Sequence, residues 1–259
     1  MAIITLTTDL GYKDFYQAAL KGSILSQLPN ATIIDISHHI SAFNIQQAAF
    51  VLKNSFHYFP KQTVHLIGID SVYNENTRYL ALKYQDHYFV GSDNGIFSLL
   101  FDNTPDEIVE LNIMQDLKYL HFPLSDIFCK AACHLADGGN IMDIGIPVKS
   151  LEQRMTLQPV IENDLIRGSV IYIDSFQNVI TNITKDLFTK FQRNRKFTLY
   201  FRKNESISQL SWHYNEVPEG EKLCLFGISN HLEIAINKGN ASGLLGLHIN
   251  DIIRIEFHS

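Results

Sequence analysis

Apolar residues in the first half of the chain alternate between short continuous runs and longer amphipathic stretches. The runs predict strands at Ile3–Leu6, Thr32–Ile36, Val64–Ile69, Tyr79–Tyr84, Tyr88–Gly91 and Ile108–Leu111. The longer stretches predict helices at Phe15–Leu28, Asn44–Phe56, Ile96–Phe101 and Asp126–Ala136. Strands alternating with helices are typical of a largely parallel sheet with helices on its faces, so residues 1–150 are predicted to form an α/β sandwich domain.

Short apolar runs at close spacing dominate the second half of the chain. A polar segment with little periodic pattern, residues 151–164, contains Pro159 and is predicted to be a linker. Residues 165–259 are predicted to form a smaller antiparallel β-barrel domain. Its predicted strands are Gly168–Asp174, Lys196–Phe201, Lys222–Gly227, His231–Ile236 and Asp251–Phe257.

Composition narrows the class of protein. The chain has 259 residues, of which 46% are hydrophobic and 19% charged, as expected of a globular protein with a sizeable core. Its net charge of −6 argues against nucleic acid or an anionic membrane as the main partner. No apolar run approaches the roughly 18 residues of a membrane span, and the start of the chain has no signal-peptide pattern, so a cytoplasmic location is expected.

Two of the three cysteines, Cys129 and Cys133, lie close together, and His134 follows them. Three cysteines cannot all pair within one chain, so a disulfide framework is not expected. The group could ligate zinc, but no fourth ligand lies near in sequence and the spacing fits no zinc finger or ribbon. The helical pattern around both cysteines favours small core residues instead.

Acidic residues end two of the predicted strands. Asp9 follows the first strand in a turn with Gly11, and Asp14 is predicted to cap the next helix. Asp70 ends the run Val64–Ile69, so both acids are expected at one sheet edge if the two strands run parallel. A carboxylate there can accept hydrogen bonds from a vicinal diol, and the alternative is a turn aspartate that bonds its own backbone.

Polar residues in the two following connections offer further chemistry. The loop from Asp70 to Arg78 can fold back and pair these side chains, either to orient a water molecule or as a structural clasp. Ser92 or Asp93, which precede an Asn-Gly turn, can cap the next helix. We interpret this second segment as structural.

Asp35, His38 and His39 suggest a metal site, because aspartate and paired histidines recur in metallophosphoesterases. Neighbouring residues on a strand point to opposite faces, which argues against one metal shared by both histidines. The chain has no P-loop, no Gly-x-Gly-x-x-Gly and no Gly-x-Ser-x-Gly motif. Their absence weakens nucleoside-triphosphate, dinucleotide and α/β-hydrolase hypotheses.

An acid, an aromatic ring and an amide lie within five residues at Asp174, Phe176 and Asn178. The acid could bind an ammonium group, the ring could stack on a base, and the amide could bond the adenine edge in a bidentate manner. Taken alone, turn formation explains this segment equally well.

Several stretches, in order, resemble one family. They are Thr8-Asp9-Leu10-Gly11, the segment from Asn30 to His38, the segment from Tyr88 to Gly95, the segment from Tyr172 to Asn178, and the segment from Leu232 to Ala241. Together they are similar to the S-adenosylmethionine hydroxide adenosyltransferases, the hydrolase relatives of the fluorinase and chlorinase enzymes. The resemblance runs from the first strand to the last and retains both domains in their order.

The resemblance implies an N-terminal α/β domain, a C-terminal β-barrel and a homotrimer whose active sites lie between neighbouring subunits. It also implies SN2-type attack of water or hydroxide on the ribose C5′ of S-adenosylmethionine, which yields adenosine and methionine. No metal and no cofactor is implied besides this small-molecule substrate. The sulfonium is already a good leaving group, so the protein needs mainly to position and desolvate the nucleophile.

Residue by residue, the resemblance implies a nucleoside site. Asp9 matches the carboxylate that binds the ribose diol, and Phe43 falls beside the sugar. Phe176 and Tyr214 match aromatic walls of the adenine site. Asn178 matches the amide that recognises adenine.

The methionine part of the substrate has its own matched residues. Asp174 matches the acid that receives the methionine ammonium group. Ser229 and Asn230 fall on the loop that holds the methionine carboxylate. The halogenases carry Ser-Arg there, so Asn230 is a departure from that pattern.

Asp70 and Arg78 match two members of the Asp–Arg–His set that activates water in the hydrolases. The halogenases have an uncharged residue at the position of Asp70, and a carboxylate facing the nucleophile should repel halide and bond water. The family's histidine position holds Pro123, and the nearest histidine, His121, lies two residues earlier.

The leading hypothesis is therefore an S-adenosylmethionine hydrolase. A non-catalytic binder of S-adenosylmethionine or adenosine is the first alternative, because the departures fall on the catalytic side of the pocket. A metal-dependent hydrolase that uses Asp35, His38 and His39 is the second.

Overall fold

The computed structural model describes residues 2–72, 77–202 and 205–258, and the chain divides into two compact units, Met1–Met155 and Thr156–Ser259. Strands β1 to β7 of the first unit are Ile3–Thr8, Thr32–Ser37, Val64–Gly68, Tyr79–Tyr84, His87–Ser92, Glu107–Leu111 and Gly145–Pro147. Its helices α1 to α4 are Tyr16–Gln27, Ile45–Lys53, Ile96–Leu100 and Ile127–Ala136.

The described strands of the first unit form one mixed sheet in the order β2-β1-β3-β5-β4-β6-β7. Neighbours among β2, β1, β3 and β5 run parallel, and β4, β6 and β7 add antiparallel pairings. One face packs on α1 and α4 through residues such as Leu20 and Phe128, and the other packs on α2 and α3 through residues such as Leu52 and Phe97. Burial of both faces explains the continuous apolar runs of the central strands.

The second unit is a nearly closed antiparallel barrel. Its strands β8 to β15 are Val160–Glu162, Leu165–Ile173, Val179–Thr184, Lys196–Arg202, Glu205–Ile207, Lys222–Phe226, His231–Ile236 and Ile252–His258. They are ordered β12-β11-β15-β9-β10-β14-β13, with β8 paired to β9, and a bridge from Leu210 to Cys224 links the segment after β12 to β13. Alternate strand residues fill the interior, and the helices α5 and α6 are Lys185–Gln192 and Ala241–Leu245.

The predicted fold class, an α/β sandwich followed by a smaller antiparallel barrel, is confirmed. Strand β10 and helix α5 were not among the predicted elements. In β10 the apolar alternation is interrupted by Thr181 and Asn182, whose side chains bond the Leu232 carbonyl and the Ser169 N–H of neighbouring strands. Helix α5 buries only Phe188, so its apolar face is too small to stand out in the sequence.

Two local predictions in the first unit have opposite outcomes. Cys129 and Cys133 are buried free thiols of α4, so their assignment to the core is confirmed. The prediction that Asp14 caps α1 is wrong. The N-cap residue is Phe15, and Asp14 lies one residue too early to accept from the free N–H groups of the first turn.

Among the described residues, none of the helices has the length and apolar character that a membrane crossing requires.

Candidate functional site

Asp9 and Asp70 lie side by side at the carboxyl edge of the first unit's sheet. They follow β1 and β3, which are parallel neighbours, so the predicted placement of both acids at one edge is confirmed. Asp9 Oδ2 accepts a hydrogen bond from the backbone N–H of Phe43 at 2.9 Å and a longer one from that of Asp70 at 3.5 Å. The Asp9 carboxylate therefore holds two loops at the strand edge.

Phe43 and Asp70 both adopt the left-handed backbone conformation, with φ of 64° and 46°. Residues with a Cβ atom rarely adopt it, and it persists where neighbouring groups hold it in place. The hydrogen bonds to Asp9 supply part of that restraint. The Phe43 ring is left 65% exposed beside the carboxylate, where an apolar face can pack against a sugar ring.

A chain of polar side chains runs from the buried Thr8 through the buried His38 to the partly exposed Asp35 and Lys21. The ring nitrogens of His38 lie 2.5 Å from Thr8 Oγ1 and 3.1 Å from Asp35 Oδ1, and Lys21 donates to Asp35 at 2.6 Å. Burial lowers the pKa of His38. Burial raises the pKa of Asp35, whereas the hydrogen bond from Lys21 and the neighbouring His38 lower it. The net effect is a lowered pKa of that carboxyl. Lys21 and Thr8 thus engage Asp35 and His38, and within the described residues no group of three or more His, Cys, Asp or Glu side chains is placed to hold a metal ion.

Arg78 is paired with Asp93 and not with Asp70. Its Nη2 donates to Asp93 Oδ2 at 2.5 Å and to the Ser150 carbonyl at 2.9 Å. Arg78 precedes β4 and Asp93 follows β5, and because these strands are antiparallel neighbours the two residues face each other at one end of the ladder. The predicted direct pairing of Asp70 with Arg78 is therefore wrong, and residues 73–76 of that loop lie outside the described residues.

The turn after β5 supports the backbone at Asp70. The prediction that Ser92 or Asp93 caps helix α3 is wrong, because its N-cap position carries no side-chain cap. Asn94 Nδ2 donates to the Ile69 carbonyl at 2.9 Å and more weakly to that of Asp70 at 3.4 Å. The amide thus holds the end of β3 where the chain turns into Asp70.

Residues 123–125, where the resemblance places the histidine, pack against the end of β3. Residues Pro123–Ser125 form a buried 3₁₀ turn, and a Cβ atom added at Gly68 would overlap the Leu124 side chain. Glycine at that position therefore permits the close approach of this turn to β3. Pro123 is buried in it, whereas His121 is exposed.

In the second unit, Asp174 and Asn178 face each other across the turn between β9 and β10. Asp174 Oδ1 accepts from the Asn178 backbone N–H at 2.8 Å, and Oδ2 accepts from Asn178 Nδ2 at 3.0 Å. Asn178 is buried, and the Phe176 ring between them is 80% exposed. The turn thus combines a fixed carboxylate and amide with a free aromatic face, which suits a base and an ammonium group.

Tyr214 is held by a residue that the sequence interpretation did not include, Glu233 of β14. The Tyr214 hydroxyl donates to Glu233 Oε2 at 3.0 Å. Burial raises the pKa of Glu233, and the nearby Asp174 charge adds to the effect. Burial and the Glu233 charge likewise raise the pKa of Tyr214. An acid at an inward position of a predicted strand was the available signal, since unpaired buried carboxylates are rare.

Ser229 and Asn230 form the turn between β13 and β14. Asn230 has a left-handed φ of 62°, and its N–H donates to the Gly227 carbonyl at 3.0 Å. The Ser229 hydroxyl is buried and has no hydrogen-bond partner among the described residues, so its donor is unused there. Within the same described residues, no hydrogen bond joins this turn to Asp174.

Each unit therefore carries one group of the predicted residues. The first unit brings together Asp9, Phe43 and Asp70, and connects Arg78 to them through the turn after β5. The second brings Asp174 and Asn178 together and holds Tyr214 near the charge of Asp174. The first group can bind a diol and polarise a water molecule, and the second can bind a base and an ammonium group.

Comparison with known proteins covers almost the whole chain. The model of the SAM hydroxide adenosyltransferase N-terminal domain matches residues 4–145, and that of the C-terminal domain matches residues 168–254. A protein of Methanocaldococcus jannaschii named (R)-S-adenosyl-L-methionine hydrolase is 31% identical, over 98% of this chain and 96% of the relative. A Thermus thermophilus protein of the same name is 26% identical, over 95% of this chain and 96% of the relative.

Among solved structures, the chain is similar to an uncharacterized conserved protein from Thermotoga maritima. The TM-score is 0.88 at 31% identity, and the superposition covers 98% of this chain and 99% of the other. Both units and their order are thus shared with that protein.

Proposed function

This chain belongs to the SAM hydroxide adenosyltransferase family, and we propose that it hydrolyses S-adenosyl-L-methionine to adenosine and L-methionine. The observation that carries the chemistry is the position of Asp70, which lies beside Asp9 at the carboxyl edge of two parallel strands. One carboxylate can hold the sugar while the other faces the atom that reacts.

In this proposal, the first unit binds the ribose. Asp9 Oδ1 accepts no hydrogen bond within the described residues, so both of its lone pairs are open to the 2′- and 3′-hydroxyls of the ribose. The exposed ring of Phe43 packs beside the sugar. Binding of the diol fixes the position of C5′ relative to Asp70.

The second unit binds the base and the amino acid in the same proposal. Asn178 bonds the adenine edge between the rings of Phe176 and Tyr214. Asp174 receives the methionine ammonium group, and the free hydroxyl of Ser229, with Asn230 beside it, receives the methionine carboxylate. The substrate and the protein are complementary in charge. The ammonium group of methionine meets the Asp174 carboxylate, and the carboxylate of methionine meets hydrogen-bond donors.

Water attacks C5′ from the side opposite to sulfur. A C5′–O bond forms as the C5′–S bond breaks, and the bonding electron pair leaves with sulfur as the neutral thioether of methionine. Positive charge moves from sulfur to the attacking oxygen, where the Asp70 carboxylate stabilises it and accepts the proton. Arg78 contributes the orientation of the water. The same negative charge of Asp70 disfavours halide as nucleophile.

We also propose that the enzyme works without a metal, as a cytoplasmic homotrimer with sites between neighbouring subunits. The support for this is the resemblance of the binding residues to the family and, for the metal, the engagement of Asp35 and His38 by Lys21 and Thr8. Light scattering coupled to gel filtration gives the mass in solution, and the mass of a monomer would contradict the trimer.

The direct test is incubation of the purified protein with S-adenosyl-L-methionine, followed by chromatography for adenosine and methionine, with and without added halide. Equal adenosine formation in both arms is expected. Asp70→Asn should abolish most turnover. Asp86→Asn is the matched control, because Asp86 is also a left-handed aspartate, with φ of 63°, and lies in the β4–β5 hairpin at the opposite sheet edge.

Binding without turnover is the second candidate function, and one observation favours it. Pro123 occupies the histidine position and is buried, so it supplies no proton acceptor there. Saturable binding of S-adenosyl-L-methionine by calorimetry, with no product after prolonged incubation, would establish this function and refute hydrolysis.

A further inference from the structure

The tight turn between β5 and α3 contacts both Asp70 and Arg78, the two residues that activate and orient the water in the proposed function. Asp93 bonds the side chain of Arg78, and the next residue, Asn94, bonds the backbone at Asp70. Neither turn residue was assigned a part in the reaction. We propose that Asp93 and Asn94 are positioning residues that set the spacing and orientation of Asp70 and Arg78; this inference rests on the proposed function.

Asp93 has the features of a rigid anchor. Its side chain is only 3% exposed, and each carboxylate oxygen has one partner. Oδ2 accepts from Arg78 Nη2 at 2.5 Å, and Oδ1 accepts from the backbone N–H of Glu152 at 2.9 Å. The Asp93 N–H also donates to the Arg78 carbonyl at 2.9 Å, so side chain and backbone of the arginine are held together. Fixing a long guanidinium side chain in this way removes rotamers that would point it away from the water.

Asn94 acts on the other member of the pair. Asp70 is exposed and adopts a left-handed conformation, so its carboxylate direction depends on how the backbone before it is held. The Asn94 amide holds the carbonyls of Ile69 and Asp70, at 2.9 and 3.4 Å. Asn94 Oδ1 is itself fixed by the N–H of Ile96 at 3.3 Å. The orientation of Asp70 is therefore tied to the same turn that holds Arg78.

Residues 150–154 hold the turn between β5 and α3 through hydrogen bonds. The Ser150 carbonyl accepts from Arg78, the Glu152 N–H donates to Asp93, and Arg154 Nε donates to the Asn94 carbonyl at 3.0 Å. Alternate residues of this segment thus each make one hydrogen bond, to Arg78, to Asp93 and to Asn94. A Cβ atom at the next position, Gly95, would overlap the Arg154 side chain, and Gly95 has a φ of 95° that favours glycine. The start of the predicted linker is therefore part of the support for the site.

The test is a pair of double-mutant cycles with S-adenosyl-L-methionine as substrate. Asp93→Asn keeps the shape and the Glu152 contact but removes the charge that holds Arg78. We expect kcat to fall by about 10- to 100-fold, as displacement of a catalytic group by about 1 Å does, with KM within about threefold. In an Arg78→Gln background, Asp93→Asn should cause little further loss, because its effect passes through Arg78.

The second cycle combines Asn94→Ala with Asp70→Asn, and the same non-additivity is expected. Asn182→Ala is the matched control. Its amide also joins two backbone groups, the Ser169 N–H and the Leu157 carbonyl, and its loss should lower the melting temperature without changing kcat. Adenosine affinity by calorimetry shows whether each variant retains a folded site. If Asp93→Asn does not fold, Asp93→Glu keeps the charge but displaces Arg78, and the same cycle applies.

Three results would overturn the inference. They are an unchanged kcat in the turn variants, a loss confined to KM, and losses that multiply in the double variants. A wild-type protein that forms no adenosine would refute the proposed function instead, so the two failures are distinguishable.

Discussion

Replacement of Asp9 by alanine tests the proposed nucleoside site most directly. In the unliganded chain the substitution removes the acceptor of the Phe43 N–H, a bond of 2.9 Å to a charged group, and of the much weaker 3.5 Å bond from Asp70. A hydrogen bond to a charged group contributes about 1.5–3 kcal/mol, so we expect a loss of stability of about that size from the Phe43 bond alone. With adenosine bound, the acceptor of two hydroxyls is lost as well. The loss of one such bond lowers the affinity for adenosine more than about tenfold.

The assay is calorimetry with adenosine and with 2′-deoxyadenosine, which lacks one hydroxyl of the diol. Wild-type protein should bind adenosine more than about tenfold more tightly than Asp9→Ala does, and should discriminate against the deoxynucleoside by a similar factor. Asp9→Ala should lose this discrimination, because no acceptor remains to distinguish the two ligands. Asp86→Ala, at the opposite sheet edge, is the control. Undiminished discrimination in Asp9→Ala would show that another residue binds the diol.

Two further predictions concern metals and pH. A strong chelator should leave adenosine formation unchanged, and loss of activity restored by a divalent metal would revive the metal site at Asp35. Burial, with a smaller effect of His87, lowers the pKa of His65 to about 3, so the folded state leaves this ring neutral where the unfolded state binds a proton below about pH 6.5. The stabilisation that this neutral ring gives the folded state is complete above about pH 6.5 and declines toward pH 3. The free energy of unfolding should therefore fall by about 2 kcal/mol between pH 7 and pH 5. Denaturant unfolding at both pH values measures the loss, and His65→Gln should remove this part of it; an equal loss in the variant would contradict the assignment.

The placement of the acids was predictable because it depends on topology alone. Asp9 and Asp70 follow β1 and β3, and the helices α1 and α2 connect β1 to β2 and β2 to β3, so these strands run parallel and their ends share an edge. Cys129 and Cys133 were predictable for a similar reason, since they lie on the apolar face of a helix. For the cysteines, the periodicity of a single element determines the outcome.

The partner of Arg78 was not predictable from spacing, because two acids were within reach. Which of them it meets depends on the register of β4 and β5, where Tyr79 lies opposite Ser92 and so brings Arg78 to Asp93. A shift of the ladder would bring a different side chain into position. The role of residues 150–154 was hidden for a related reason, since their bonds to the turn use backbone groups that every residue carries.

Pro123 raises the question of how water could be activated without histidine, and the charge flow of the reaction gives an answer. The substrate carries its positive charge on sulfur, and attack by neutral water moves that charge to the incoming oxygen, so the transition state needs a nearby anion before it needs a base. In the proposed mechanism Asp70 supplies that anion, and its backbone is held by Asp9 and Asn94. Proton loss from the cationic oxygen adduct is strongly favourable once the C5′–O bond has formed, so a carboxylate or solvent suffices to accept the proton. On this account Asp70 contributes more to the rate than the missing imidazole would, and turnover should survive with Pro123 in place.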